Sequence, residues 1–167
     1  MSQAEHKAVA PLSVHCFVLT ISDTRTEATD ESGRAIVDLL TASGHVITGR
    51  AIVKDDADSV RDLVQRQLAS ADVQAIITTG GTGITSRDST YEAVSRLLEK
   101  RLDGFGELFR MLSFEQIGPA AMMSRACAGI AAGHIVVSLP GSEAAVRLGM
   151  GRLVIPELGH LVQQAGK

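Results

Sequence analysis

An apolar, β-branched segment that passes directly into a glycine-rich turn constrains the fold of this chain more than any other feature. Residues Ile76–Thr79 have the composition of a buried strand, and they are followed at once by Gly80, Gly81 and Gly83, with Asp88 closing the turn. Because glycine has no Cβ, such a turn adopts positive φ and brings several backbone N–H groups close to an anion. These residues predict an anion site at the end of a strand.

The segment after the turn supports the same prediction. From Thr90 onward, Val94, Leu97 and Leu98 recur at helical spacing, so the positive N-terminal end of a helix points at the turn. Asp88 precedes this helix, where its carboxylate can hold a hydrated Mg²⁺ against a bound phosphate. For the glycines alone, a tight strand-to-helix turn that needs small residues is the simpler alternative.

Strand, loop and helix patterns alternate along the chain. Apolar runs at residues 14–21, 45–53, 73–79 and 135–139 predict strands, and helical patterns begin near Glu31, Asp58 and Thr90, with Asp58 as an N-cap and Gly44 as a stop. This alternation predicts an α/β fold with a mostly parallel sheet and helices on both faces, in a single three-layer domain. We place the domain at residues 13–167, after a flexible N-terminal tail at residues 1–12.

Two later regions do not follow this alternation of strand and helix patterns. Residues 103–133 are unusually apolar, and two interpretations stay open: an extra pair of core helices, or a subunit interface rich in Met and Phe. In the C-terminal region Gly149, Gly151 and Pro156 interrupt the helical pattern, which predicts two short helices.

Polar residues follow four of the predicted strands, in the segments Ser22–Asp23, Lys54–Asp56, Gly80–Asp88 and Pro140–Ser142. The carboxyl ends of parallel strands meet at one edge of a sheet, where ligands collect. Asp55 and Asp88 would then supply the two carboxylates of a Mg²⁺–nucleotide site. Helix capping is the alternative for Asp55 and Asp56, and the spacing does not choose between these two. Arg87 and Arg125 are candidate phosphate contacts.

Composition argues against several other functions. A formal net charge of −3, an aromatic content of 3% and the lack of any Lys/Arg run argue against nucleic-acid binding. Cys16 and Cys127 lack CxxC spacing, which favours buried thiols in a reducing compartment. No histidines have metal-ligand spacing, no Gly-x-Ser-x-Gly occurs, and no apolar segment reaches the length of a membrane span. We therefore expect a cytoplasmic protein without a membrane partner.

Three motifs together resemble the molybdopterin-binding MoaB/MogA family: Thr79–Gly83 with Arg87–Asp88, Gly104–Glu107, and Leu139–Ser142. The resemblance extends from about Val14 to the C-terminus, and residues 105–115 are most similar to the MoaB branch. It implies a molybdopterin adenylyltransferase fold, assembly as a homotrimer or a dimer of trimers, and binding of molybdopterin and Mg–ATP at the strand edge.

The resemblance also implies roles for individual residues. The nucleotide phosphates would be held by the glycine loop, which consists of Thr79, Gly80, Gly81, Thr82 and Gly83. Asp55 and Asp88 would be the catalytic carboxylates and the Mg²⁺ ligands. The pterin and its phosphate would be framed by Ser22, Asp23, Pro140, Gly141 and Ser142, and Glu107 would complete the pocket. In the family reaction the terminal phosphate of molybdopterin attacks the α-phosphorus of ATP and releases pyrophosphate.

Two positions depart from the family pattern. Tyr91 stands where relatives often carry proline, and Ala144 stands where many carry lysine, which removes one potential phosphate contact. Adenylylation of molybdopterin is the leading hypothesis, and a non-catalytic molybdopterin-binding or scaffold protein is the alternative. A generic nucleotide phosphotransferase is disfavoured because no Gly-Lys-Ser/Thr follows the loop. The sequence does not distinguish a molybdenum from a tungsten pathway.

Overall fold

The computed structural model describes residues 2–167, which contain one six-stranded sheet. The strands are β1 (His15–Ile21), β2 (Val46–Val53), β3 (Ala75–Thr79), β4 (Lys100–Arg101), β5 (Cys127–Ala131) and β6 (His134–Leu139). Their spatial order is β2-β1-β3-β6-β5-β4, and β2, β1, β3 and β6 are parallel neighbours. Among the six described strands, β5 is the one that runs in the opposite direction, since it pairs antiparallel with both β6 and β4.

Seven α-helices occur in the described chain: α1 (Gln3–Ala8), α2 (Glu31–Ala42), α3 (Ala57–Leu68), α4 (Thr90–Leu97), α5 (Asp103–Ile117), α6 (Glu143–Gly149) and α7 (Ile155–Ala165). A 3-10 helix spans Gly118–Met123, and a π-helical segment spans Met150–Val154. Among residues 2–167, no helix combines the length and the apolar character that crossing a bilayer requires.

Helices cover both faces of the sheet. Apolar side chains of α2, α5, α6 and α7 form one buried cluster, and those of α3 and α4 form a second cluster on the opposite face. Ile76 and Ile77 are both fully buried but belong to different clusters, because successive side chains of a strand point to opposite faces. This explains why β3 shows no polar alternation. The predicted three-layer α/β fold is confirmed.

The predicted cap of α3 is wrong. The N-cap is Asp56, whose Oδ2 accepts a hydrogen bond from the Ser59 N–H at 2.9 Å. Asp58 lies in the first turn instead, where it pairs with Arg61. Both acids suit a helix start, so residue type alone did not separate them.

The region between residues 103 and 133 contains one α-helix and a strand that the sequence did not predict. Phe109 and Leu112 of α5 are buried in the core, whereas Phe114 on the same helix is 58% exposed. The chain then returns through β5, which extends the sheet. The two short helices predicted at the C-terminus are continuous, because the π-helical segment joins α6 to α7. Pro156 lies in the first turn of α7, where a missing N–H costs little.

The predicted N-terminal tail contains α1. Ser2 and Glu5 form a capping box, Lys7 pairs with Glu157 of α7, and the His6 ring stacks on His160 at 6.2 Å. These contacts were not visible in the sequence because α1 has no apolar stripe. Met1, which belongs to the predicted tail, lies outside the described residues.

Candidate nucleotide and phosphate cleft

A cleft of about 510 Å³ opens where the carboxyl ends of β1, β3 and β6 meet. It is lined by Ile21, Ser22, Arg25, Gly80, Gly81, Thr82, Gly83, Asp88, Met123, Ser124, Pro140, Gly141 and Ser142. Nine of these lining residues were predicted from the sequence: Ser22, Gly80–Gly83, Asp88 and Pro140–Ser142. The order of the strands brings them together, because β1, β3 and β6 are adjacent although they are distant in sequence.

The glycine loop has a backbone that other residues cannot adopt without strain. Gly80 has φ of +98° and Gly81 has φ of +67°. A Cβ on Gly80 would lie 2.1 Å from the carbonyl oxygen of Ile21, and one on Gly81 would lie 2.0 Å from Thr90 Oγ1. Close approach of the loop to β1 and α4 therefore requires glycine at both positions.

Asp88 forms one acidic wall of the cleft. Its Oδ2 accepts hydrogen bonds from the backbone N–H of Thr85 at 3.0 Å and from Thr85 Oγ1 at 2.6 Å. The Thr85 hydroxyl lowers the pKa of Asp88 most, burial opposes it, and the backbone N–H groups of Thr85 and Gly83 and the charge of Arg125 lower it further. Asp88 is thus ionised at neutral pH and faces the cleft as a carboxylate.

Asp55 is buried beside the glycine loop, with 8% of its surface exposed, and it is not among the residues that line the cleft. Its Oδ1 accepts hydrogen bonds from the N–H and the hydroxyl of Ser89, at 3.2 and 2.9 Å, and from Thr90 Oγ1 at 3.4 Å. Ser89 is the N-cap of α4 and makes no capping bond of its own, so Asp55 stabilises that helix start. Its Oδ2 carries no hydrogen bond from the described residues and lies against Gly81.

Two other predicted residues support the cleft from outside its lining. Asp23 accepts a hydrogen bond from the Asp55 N–H at 3.1 Å and pairs with Arg87 at 2.7 Å, and the Arg87 hydrogen bond lowers the pKa of Asp23. Thr79 Oγ1 donates to the carbonyl oxygen of Pro140 at 2.9 Å, which ties the end of β3 to the segment after β6. Both residues hold neighbouring strand ends in register.

Glu107 lies in a different cleft. This second cleft has a volume of about 210 Å³ and is lined mainly by polar groups, among them Tyr91, Arg101, Asp103, Glu107 and Arg110. No residue lines both clefts. The structure of one chain therefore does not bring Glu107 together with the glycine loop.

Arg125 is hydrogen-bonded to the glycine loop from outside the cleft lining. Its guanidinium donates to the carbonyl oxygens of Thr82 at 3.0 Å and Gly83 at 2.5 Å and also pairs with Glu92. Its Cζ lies 4.9 Å from the centre of the Tyr91 ring. Neither Arg125 nor Arg87 lines the cleft, because each already has acidic or carbonyl partners elsewhere.

Arg25, Met123 and Ser124 line the cleft but were not predicted as site residues. Arg25 follows the Ser22–Asp23 segment by two residues, so a basic residue in a strand-end loop was the available signal. Met123 and Ser124 are distant in sequence from every strand end that was considered, and no sequence signal placed them here.

A Mg²⁺ ion fits the donors of this site. Mg²⁺ is held in nucleotide sites by one or two carboxylates, several waters and phosphate oxygens. Asp88 is ionised in the cleft wall, and Asp55 Oδ2 has no hydrogen-bond partner among the described residues. Within residues 2–167 there is no group of three or more His, Cys, Asp or Glu side chains that would hold a metal without such a substrate.

Comparison with known proteins places these features in context. Residues 17–160 match a family model described as "Probable molybdopterin binding domain". Molybdenum cofactor biosynthesis protein B of Bacillus cereus is 53% identical over 96% of each chain. A crystal structure of a molybdenum cofactor biosynthesis protein B superposes with a TM-score of 0.90 at 52% identity, over 93% of this chain and 98% of the other. A tungsten cofactor synthesizing protein MoaB from Pyrococcus furiosus gives 0.85 at 36% identity, over 95% and 100%.

Proposed function

The chain belongs to the molybdopterin-binding MoaB/MogA family and serves molybdenum cofactor biosynthesis, and we propose that it does so by transferring AMP from Mg–ATP to molybdopterin. The observation that carries this proposal is the single cleft that joins the glycine loop to the ionised Asp88. Backbone N–H groups suited to phosphates and a carboxylate suited to a cation lie side by side there, which supports transfer between phosphates.

The glycine loop is suited to the triphosphate. Among the described residues, the backbone N–H groups of Gly81 and Thr82 have no hydrogen-bond acceptor, although both residues line the cleft. Unpaired N–H groups in a turn with positive φ are typical of phosphate binding. Mg²⁺, when bound, would neutralise part of the triphosphate charge, and Asp88 and Asp55 Oδ2 would hold it.

Ser22 and Ser142 are suited to the phosphate of the pterin. Ser22 Oγ accepts hydrogen bonds from the N–H groups of Thr24 and Arg25, and Ser142 Oγ accepts one from Ala145. Because each oxygen is already an acceptor, the hydroxyl proton is free to donate to a ligand in the cleft. The residue pair Pro140–Gly141 connects this part of the cleft to the glycine loop.

The proposed reaction needs positioning more than proton transfer. A phosphate monoester oxygen of molybdopterin bonds to the α-phosphorus of ATP while the bond to the β-phosphate oxygen breaks, so pyrophosphate leaves with that electron pair. The nucleophile is already ionised at neutral pH, and the protein has to hold two anions together and offset their repulsion. A cleft with backbone donors, hydroxyls and a bound cation meets that need.

Release of pyrophosphate tests this proposal. Purified protein with molybdopterin, ATP and Mg²⁺ should release pyrophosphate, and Asp88→Asn should lower the rate at least about 100-fold, because it removes charge from the proposed ligand. Asp72→Asn, which changes an exposed carboxylate away from the cleft, is the control. Equal rates for the two variants would rule out the role of Asp88.

Molybdopterin binding without turnover is the second candidate, and Ala144 favours it. Ala144 lies in the first turn of α6, separated from the cleft residue Ser142 by Glu143, so no lysine is available there. If this candidate holds, molybdopterin binds, no pyrophosphate appears, and Asp88→Asn leaves pterin affinity nearly unchanged.

We also propose that the chain assembles as a homotrimer or a dimer of trimers. Six large apolar side chains of α5 and the 3-10 helix are between 47% and 77% exposed: Leu108, Met111, Phe114, Ile117, Met122 and Met123. We call this surface the α5 apolar face. A second copy of the chain would remove it from water, and its residue types are those enriched at interfaces.

A further inference from the structure

Arg25 is the one basic side chain among the described residues that line the cleft, and no role has been assigned to it so far. We propose that Arg25 binds the terminal phosphate of the pterin and thereby gives the cleft its preference for a phosphorylated pterin. This inference rests on the proposed function, since it names the residue that recognises one of the two substrates.

The guanidinium of Arg25 is held at one edge only. Its Nη1 donates to Ser32 Oγ at 2.5 Å, and the side chain is 31% exposed. Its remaining N–H groups have no acceptor within residues 2–167. Arg25 is also anchored through its backbone, because its N–H donates to Ser22 Oγ at 3.0 Å. An arginine fixed in this way presents donors to the cleft at little further cost in side-chain entropy.

The charge of Arg25 is not cancelled by the nearby acid. Asp30 is fully buried, and its Oδ2 pairs with Arg50 at 2.6 Å, whereas its Oδ1 lies 3.8 Å from Arg25. Asp30 Oδ1 also accepts a hydrogen bond from the Gly33 N–H, so this oxygen is already engaged. Arg50 is thus the main partner of Asp30, and Arg25 keeps a positive charge for a ligand.

The other arginines near the cleft are committed to protein partners. Arg125 binds the Thr82 and Gly83 carbonyls together with Glu92, and Arg87 pairs with Asp23. Neither lines the cleft. A phosphate monoester that enters the cleft without a metal ion therefore meets one available cation, at Arg25.

The position of Arg25 also separates the two substrates. Arg25 is bonded to Ser32 of α2, on the face of the sheet that carries α6, whereas Asp88 precedes α4 on the opposite face. Asp88 repels a bare phosphate but attracts one that carries Mg²⁺. The pterin phosphate should therefore occupy the Arg25 side together with Ser22 and Ser142, and the Mg–triphosphate should occupy the Asp88 side.

Binding of a fluorescent pterin tests this assignment without any need for turnover. The ligands are the air-oxidised derivative of molybdopterin and the same compound after phosphatase treatment, and the proteins are the wild type, Arg25→Gln, Arg25→Lys and, as a matched control, Arg61→Gln. Arg61 is exposed on α3, and within residues 2–167 its ion pairs are with Asp58 and Asp62. Thermal unfolding of each variant reports whether it is folded.

We expect Arg25→Gln to weaken binding of the phosphorylated pterin at least about tenfold, the loss typical of a hydrogen bond to a charged group. Binding of the dephosphorylated pterin should be unchanged, Arg25→Lys should keep part of the preference, and Arg61→Gln should match the wild type.

Equal loss of affinity for both ligands, or no loss for either, would overturn the assignment. If the wild type binds neither pterin, the proposed function itself fails, which is a different result. Should Arg25→Gln not fold, Arg25→Lys decides: a preference identical to the wild type in both size and salt dependence would overturn the assignment.

Discussion

Gly80 shows how one atom decides whether the cleft forms. Its φ of +98° is rarely adopted by residues with a side chain, and the carbonyl oxygen of Ile21 occupies the space where a Cβ would lie. That carbonyl belongs to the end of β1, where Ile21 is paired with Val53 of β2, so it cannot move without disturbing the strand pairing. The turn is therefore possible only because position 80 lacks a side chain.

Alanine substitution at two glycines tests this view. Gly80→Ala should lower the free energy of unfolding by at least about 1–3 kcal/mol, the usual cost of a strained backbone residue. Gly104→Ala is the control, because that glycine begins α5 with no atom within 4 Å of the added carbon. It should be neutral or stabilise by up to about 1 kcal/mol. Urea unfolding with unchanged m-values gives both numbers, and similar losses in the two variants would contradict the prediction.

Individual site residues were predictable to different degrees. Asp88 is in the cleft because it closes the turn that the glycine loop begins. Asp55 and Glu107 were also assigned to the pocket; Asp55 is buried against Gly81, where its Oδ2 has no hydrogen-bond partner among the described residues, and Glu107 lies in the second cleft. The sequence indicates which residues lie at the end of a strand. The direction of each side chain, in contrast, depends on neighbours from other elements.

At the scale of elements, the start of α2 is tied to the sheet by a buried carboxylate. Asp30 caps α2 through the Gly33 N–H and also binds Thr20 of β1 and Arg50 of β2. Burial alone would raise its pKa, but the hydrogen bonds from Arg50, Thr20 and Gly33 outweigh it, so the pKa of Asp30 is lowered. The same residue orders the loop that carries Arg25 into the cleft.

The pH dependence of stability should reveal this carboxylate. Because the folded-state pKa of Asp30 is lowered, the stabilisation that its charge provides is fully present at a pH well above the ordinary pKa of 3.8. This stabilisation is lost as the pH falls through the folded-state pKa. Asp30→Asn should therefore cost about 3 kcal/mol or more at neutral pH, because it leaves Arg50 without its partner. The difference in the free energy of unfolding between this variant and the wild type should shrink below about pH 4. Urea midpoints across this range measure it.

The control for that experiment is Asp72→Asn, in an exposed turn. The free energy of unfolding of this variant should differ little from that of the wild type, by a nearly constant amount across the same pH range. A constant gap for Asp30→Asn as well would show that Asp30 acts through packing rather than through its charge.

At the scale of the whole molecule, the α5 apolar face is a surface whose exposure to water the structure of a single chain does not explain. Phe109 and Leu112 point into the core, and Phe114 and Met111 of the same helix face outward. One side of α5 thus belongs to the core, as the first interpretation of this region expected, whereas the interface of the second interpretation stays a prediction. Met123 belongs to this face and also lines the cleft, so association would reach the edge of the cleft.

Light scattering tests the proposed assembly. The wild type should have the mass of three or six chains at micromolar concentration, and Phe114→Glu should lower it, because a charge in an apolar interface is costly to bury. Leu12→Glu is the control, since Leu12 is 92% exposed and lies near residues of α7 rather than α5. A wild-type mass of one chain would end this proposal.

The sequence by itself determined the alternation of strands and helices, the glycine turn and the polar strand ends, because these depend on local composition and on the periods of helix and strand. Only the tertiary structure decided that β5 would pair antiparallel beside β6, that α1 would pack on α7 and that Asp55 would be buried beside the glycine loop while Arg25 lined the cleft. These outcomes depend on contacts between residues distant in the chain. Local propensity carries no information about which of several acidic or basic residues finds a buried partner once the layers have packed.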